Sequence, residues 1–175
     1  MVKEVMRLDD RHSAAMYKLI ARSHTHGAAT LNVLAFRDYF LNDRDGVALA
    51  CLDGDRIEQL FLSGVEDSNT MVTKNMYGTF GEHTLDILDQ LCAICASRTP
   101  PIVEHAFLIS DQTHYGFHEA FKSCRLSKFA VEQSETILPA GVRPTDKFIW
   151  EKALSKNVPA ERLHIFRVKI EYPTE

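Results

Sequence analysis

Apolar and polar positions change rhythm several times along this chain, and each change marks an element. Residues 2–8 alternate, with Val2, Val5 and Leu8 apolar, the period of a half-buried strand. Asp9 and Asp10 then offer an N-cap, and Ala14, Ala15, Leu19 and Ile20 predict a helix to about Ser23. A loop containing Gly27 covers residues 24–30, and Leu31, Leu34, Phe36, Tyr39 and Phe40 predict a second amphipathic helix over 31–41. Asn42-Asp43-Arg44-Asp45-Gly46 is a dense turn signal. After it, residues 47–52 read as a buried strand, Asp53-Gly54 as a hairpin turn, and residues 57–62 as the returning partner.

Residues 64–69 are polar and read as a loop, and residues 70–73 as a further short strand. The stretch 74–81 carries Gly78 and Gly81 and leads into a helix over about 82–97. That helix sets Leu85, Leu88, Leu91, Cys92 and Cys95 on one side, widened by Ile87 and Ile94, so it is expected to pack against a sheet. Thr99-Pro100-Pro101 stops it. A central strand follows at 102–110, a helix at 113–124, a strand at 129–138, a loop at 139–144 and a cleanly alternating strand at 163–172. Residues 148–154 fit neither period. The resulting order is β-α-α-β-β-β-loop-α-β-α-β-β, an α/β arrangement in a single domain over 1–175.

Composition narrows the function classes. At 175 residues, with 45% hydrophobic and 25% charged positions, the chain can bury a sizeable core. A formal charge of −4 leaves no surplus of Lys and Arg to replace phosphate counterions, so no nucleic-acid partner is expected. No apolar run reaches the ~18 residues of a membrane span, and the acidic N-terminus lacks a signal peptide's apolar core. Cys51, Cys92, Cys95 and Cys124 lie in apolar segments, as reduced buried thiols do, and a cytoplasmic location is the expectation. Cys92 and Cys95 form a C-x-x-C late in a helix, where no dipole lowers a thiol pKa, so core packing is the reading. His24 with His26, and His114 with His118, have metal-compatible spacing but no obvious carboxylate or thiolate partner, His118 with its neighbour Glu119 reading as solvated, and no metal is expected. No nucleophile elbow or P-loop occurs. Arg162, His164, Arg167 and Lys169 on the final strand, taken as an edge strand, would discourage pairing with another chain.

The element order resembles the GNAT (GCN5-related N-acetyltransferase) superfamily over nearly the whole chain. The resemblance implies a central mixed, mostly antiparallel sheet flanked by helices. In that family a Gln/Arg-x-x-Gly-x-Gly/Ala loop opens a helix whose backbone N–H groups bind a pyrophosphate. Here Asn75-Met76-Tyr77-Gly78-Thr79-Phe80 and Gly81 occupy that place, with Asn75 for the Gln/Arg and Phe80 where Gly or Ala is usual. A second family pattern, Asn-x-x-Ala-x-x-Phe-Tyr-x-x-x-Gly-Phe, falls on residues 114–126. His114 stands at its first position, Phe121 at the tyrosine that protonates the leaving thiolate, and Arg125 at the glycine. The resemblance thus implies Asn75, Gly78, Thr79, Phe80, Gly81 and His114 as contacts for acetyl-CoA or another acyl-CoA. It implies direct transfer of the acyl group to an unknown amine, with Glu58 or His83 as the base. The departures at Phe80 and Phe121 point to the alternative of a catalytically inactive binding or assembly protein whose partner is another protein.

Overall fold

The fold is described from a computed structural model over residues 3–23, 37–66, 70–78, 83–110, 119, 130–139 and 162–172. The first alternating run forms β1 (Lys3–Arg7). Asp9 caps a single 3₁₀ turn and α1 (Ser13–Ser23) follows. The hairpin read at Asp53-Gly54 is β2 (Gly46–Asp53) against β3 (Arg56–Glu66), turned through Gly54 at φ +62°. Then come β4 (Thr70–Tyr77), α2 (Thr84–Ala96), β5 (Glu104–Ser110), β6 (Ala130–Leu138) and β7 (Leu163–Ile170).

The strands form one sheet in the order β1-β2-β3-β4-β5-β7-β6. Every pairing is antiparallel except β4 with β5, which are parallel and joined through α2. A parallel pair needs such a crossover, and the helix covers the sheet it crosses. Ile87, Leu88, Leu91, Cys92 and Cys95 of α2 meet Leu49, Phe61, Met71, Phe107 and Phe166 in one buried cluster. On the opposite face, Met16 of α1 packs with Ala48, Ala50, Leu52, Leu60 and Leu62.

Several expectations are corrected. Both β3 and β4 run longer than their apolar patterns, taking in Ser63 to Glu66 and Lys74 to Tyr77. Ser63 and Thr73 are buried there because their hydroxyls hydrogen-bond at 2.7 Å. In α1 the anchor is Met16, while Ala14 is exposed; in α2, Leu85 is 41% exposed rather than core-facing. Of the helix expected at 31–41, residues 31–36 lie outside the described set, and Asp38–Asn42 form a short π-helical turn that buries Tyr39 and Phe40. Tyr39 lies over paired Gly46 and Gly64, where any side chain would run into its carbonyl or its phenol ring. The final strand is not an edge: β7 lies between β5 and β6. The helix expected at 113–124, its Phe121, the loop at 139–144 and residues 148–154 lie outside the described set, residue 119 and Pro139 apart.

A buried polar contact ties the last turn of α2 to the sheet. His105 Nε2 of β5 lies 3.0 Å from Cys95 Sγ. Burial pushes the imidazole pKa down to about 4 and the thiol up to about 12, so both are neutral at pH 7. The unfolded imidazole titrates near its ordinary value. Stability from keeping His105 neutral is therefore complete above about pH 6.5 and is lost as pH falls towards 4, by up to about 3 kcal/mol. Urea unfolding of the wild type should weaken more steeply over that window than that of His105→Gln. Parallel pH profiles would show that His105 titrates normally.

Candidate functional site

The pairing of β4 with β5 stops early. It runs from Thr70 opposite Glu104 to Thr73 opposite Phe107. Beyond that point, among the described residues, Asn75, Met76 and Tyr77 pair only with Leu62, Phe61 and Leu60 of β3, while Leu108 to Ser110 pair only with β7. The cause is a β-bulge. Leu62 opposes Asn75 and Ser63 opposes Thr73, which leaves Lys74 as an extra residue in β4. The bulge also reverses the side-chain alternation. Met76 joins the cluster beneath α2, and Tyr77 joins the opposite face. The sheet is thus split at the carboxyl ends of its two parallel strands, where open α/β sheets place their ligands.

Gly78 follows at once, with φ +95°, and any side chain on it would run into the Glu58 carbonyl oxygen. Only glycine turns here without strain. The chain then enters α2 through His83 at the N-cap, whose side chain makes no capping hydrogen bond. The first helical backbone bond runs from Ile87 N–H to the His83 carbonyl at 3.1 Å. Such a terminus presents donors and the positive end of the helix dipole to whatever lies before it.

A second bulge prepares the neighbouring strand. Cys51 opposes Gln59 while Leu52 opposes Ile57, so Glu58 is the extra residue of β3. Glu58 forms a 2.8 Å ion pair with Lys3 of β1. The hydrogen bond from Lys3 holds the Glu58 carboxyl below the usual carboxylate range, and His83 adds to the effect. The two residues expected as bases therefore share one neighbourhood. His83 Nδ1 also lies 3.5 Å from Asp86. Lys3, Val5, His83, Asp86, Asp89 and Gln90 line an open groove of about 390 Å³ beside them.

Among the expected cofactor contacts, Asn75 is in β4 at the split and Gly78 is at its end. Thr79, Phe80, Gly81 and His114 lie outside the described residues, as does Phe121. Gln59 was not expected: its amide and the Thr84 hydroxyl form a buried pair, with Nε2 to Oγ1 2.8 Å and Oγ1 to Oε1 3.0 Å. A neutral amide in a strand carries no sequence signature. Cys51, Cys92 and Cys95 are buried free thiols. No set of three potential metal ligands occurs among the described residues, and no helix there is long and apolar enough to cross a membrane.

Comparison with known proteins places this architecture. No protein-family model and no curated protein sequence matches the chain. Solved structures do. The ribosomal-protein-S18-alanine N-acetyltransferase from Escherichia coli matches with a TM-score of 0.62 at 12% identity, covering 99% of this chain and 97% of that one. A GNAT-family acetyltransferase from Streptococcus pneumoniae matches at 0.59 and 9% identity, covering 97% and 100%. The yncA structure from Salmonella typhimurium, which holds its cofactor acetyl-CoA, matches at 0.59 and 12% identity, covering 100% and 98%. The fold is that of the GNAT acetyltransferases, in a sequence far from theirs.

Measured by carbon-detected NMR titration, the Glu58 carboxyl should ionise below the ordinary glutamate value of about 4.3. Lys3→Met should return it upwards, and an unchanged midpoint would remove the ion pair from the account.

Proposed function

We propose that the protein is an N-acyltransferase that moves an acetyl or other acyl group from acyl-CoA to an amine. The observation that carries this reading is the split between β4 and β5, continued by the Gly78 turn and the N-terminus of α2. A pyrophosphate fits there: glycine allows close approach, and the N–H groups and dipole favour negative charge. Backbone groups of β4 beyond Thr73 have no β5 partner. An extended chain of amides can take a strand's place beside them.

Acyl-CoA would supply a thioester, activated towards attack by an amine. The amine nitrogen adds to the thioester carbonyl carbon, the new C–N bond replaces the C–S bond, and the amine's proton balances the departing thiolate. The chain's part is to bind and align; no covalent enzyme intermediate is needed. His83 stands at the N-cap of the proposed anion site. Glu58, held ionised by Lys3, can attract a cationic amine, whereas its low pKa makes it a poor proton acceptor at neutral pH. Phe121 in place of a tyrosine means that water or another group must protonate the thiolate.

Calorimetric titration with acetyl-CoA and with free coenzyme A tests the reading. Micromolar binding is expected, abolished by Gly78→Arg. Because that substitution also strains the turn, Leu85→Glu serves as a second probe. An acid in the first turn favours the helix itself yet repels an anion. It should weaken binding several-fold without lowering the melting temperature. No binding by the folded protein at millimolar ligand would overturn the enzyme reading in favour of a binding or assembly role.

A further inference from the structure

The connection between β4 and α2 leaves at Gly78 and arrives at Thr84, and one side chain of β3 reaches both ends. The stem of Gln59 lies against Gly78: a β-carbon at position 78 would sit 3.0 Å from Gln59 Cγ and 3.1 Å from its Cα. The amide of the same residue makes the paired contact with the Thr84 hydroxyl. Gln59 is 5% exposed and Thr84 1%, so the contact is shielded from competing water. Its aim comes from the bulge at Glu58. Ile57 and Leu60 both face the α1 side, an odd spacing that only an extra residue permits, and Gln59 is thereby turned towards α2.

We propose that Gln59 is a positioning residue: through Thr84 it holds the first turn of α2 at a set distance from Gly78, so that the helix terminus stands ready for the pyrophosphate of acyl-CoA. This inference rests on the function proposed above. A buried amide–hydroxyl pair suits the task, since it is directional, uncharged and neutral towards an incoming anion. Fixing the helix start against Gly78 beforehand removes an ordering cost that binding would otherwise bear. Gln59 touches neither the acyl group nor the amine in this account, so its removal should change affinity for the cofactor and not the chemistry.

The test is titration of free coenzyme A into the wild type, Gln59→Met, Thr84→Val, the double variant, Thr84→Ser and Tyr172→Phe, with a urea midpoint for each. Met keeps the stem of Gln59 without its amide, and Val keeps the shape of Thr84 without its hydroxyl. Tyr172→Phe removes a 2.7 Å hydrogen bond to the Ile102 carbonyl, away from the connection, and controls for lost stability. Both single variants and the double should bind about tenfold more weakly. Thr84→Ser, which keeps a hydroxyl, and Tyr172→Phe should stay within about twofold of wild type. Stability should follow another rule. The double variant costs less than the sum of the singles, because each single already removes the shared contact. Equal affinities for wild type and Gln59→Met would overturn the inference. If the wild type binds no coenzyme A, the acyl-CoA reading falls, and amide exchange at Ile87 decides the positioning role alone. Faster exchange there in Gln59→Met than in Tyr172→Phe supports it, and equal exchange overturns it.

Discussion

The parallel ladder from Thr70–Glu104 to Thr73–Phe107 is the seam between two antiparallel half-sheets, β1-β2-β3-β4 and β5-β7-β6. A seam so short is a weak join by itself. The cluster under α2 reinforces it, drawing on Leu49, Phe61 and Met71 from one half and Phe107, Phe166 and Val168 from the other. Burying that surface is the larger stabilising effect, because the hydrophobic contribution scales with area while each added hydrogen bond nets only ~1 kcal/mol. The helix can therefore hold the halves together where the strands do not, and the sheet can stay split at one end.

The site is a consequence of that arrangement. One extra residue, Lys74, bends β4 away from β5; another, Glu58, turns its neighbour Gln59 towards the helix start. Both bulges forfeit regular pairing, and both re-aim side chains at the same corner of the molecule. Electrostatics there is mixed. The helix terminus favours an anion, while Glu58 and Asp86 place negative charge close by. Lys3 offsets the first of these, which leaves the glycine turn less exposed to carboxylate repulsion.

Among the described residues, the order of the strands and of α1 and α2 was legible because periodicity is a local property. The hairpin through Gly54, the broad stripe of α2 and the alternation of β7 all follow from spacing alone. Strand ends were not legible where the apolar pattern ran out: Ser63 lies beyond the predicted strand 57–62, but its hydrogen bond with Thr73 lets it sit inside. Bulges were hidden for a related reason, since an extra residue breaks the alternation by which strands are recognised. Gly78 was legible as a turn residue next to a helix. Gln59 was not, because its partner Thr84 is distant in sequence. The place of β7 in the sheet was equally opaque, as strand order is a long-range property.

That placement bears on how the protein is made. β5 and β6 precede β7 in the chain, yet neither pairs with the other; each waits for β7 to fill the slot between them. The hairpins β2-β3 and β3-β4 of the first half-sheet can close as soon as they emerge, since those strands are close in sequence. The second half has no such option. From the synthesis of β5 until that of β7, its strands carry open hydrogen-bonding edges, the state in which a nascent chain is most apt to capture the wrong partner. The step that completes this half-sheet is thus also the step that ends its exposure to aggregation.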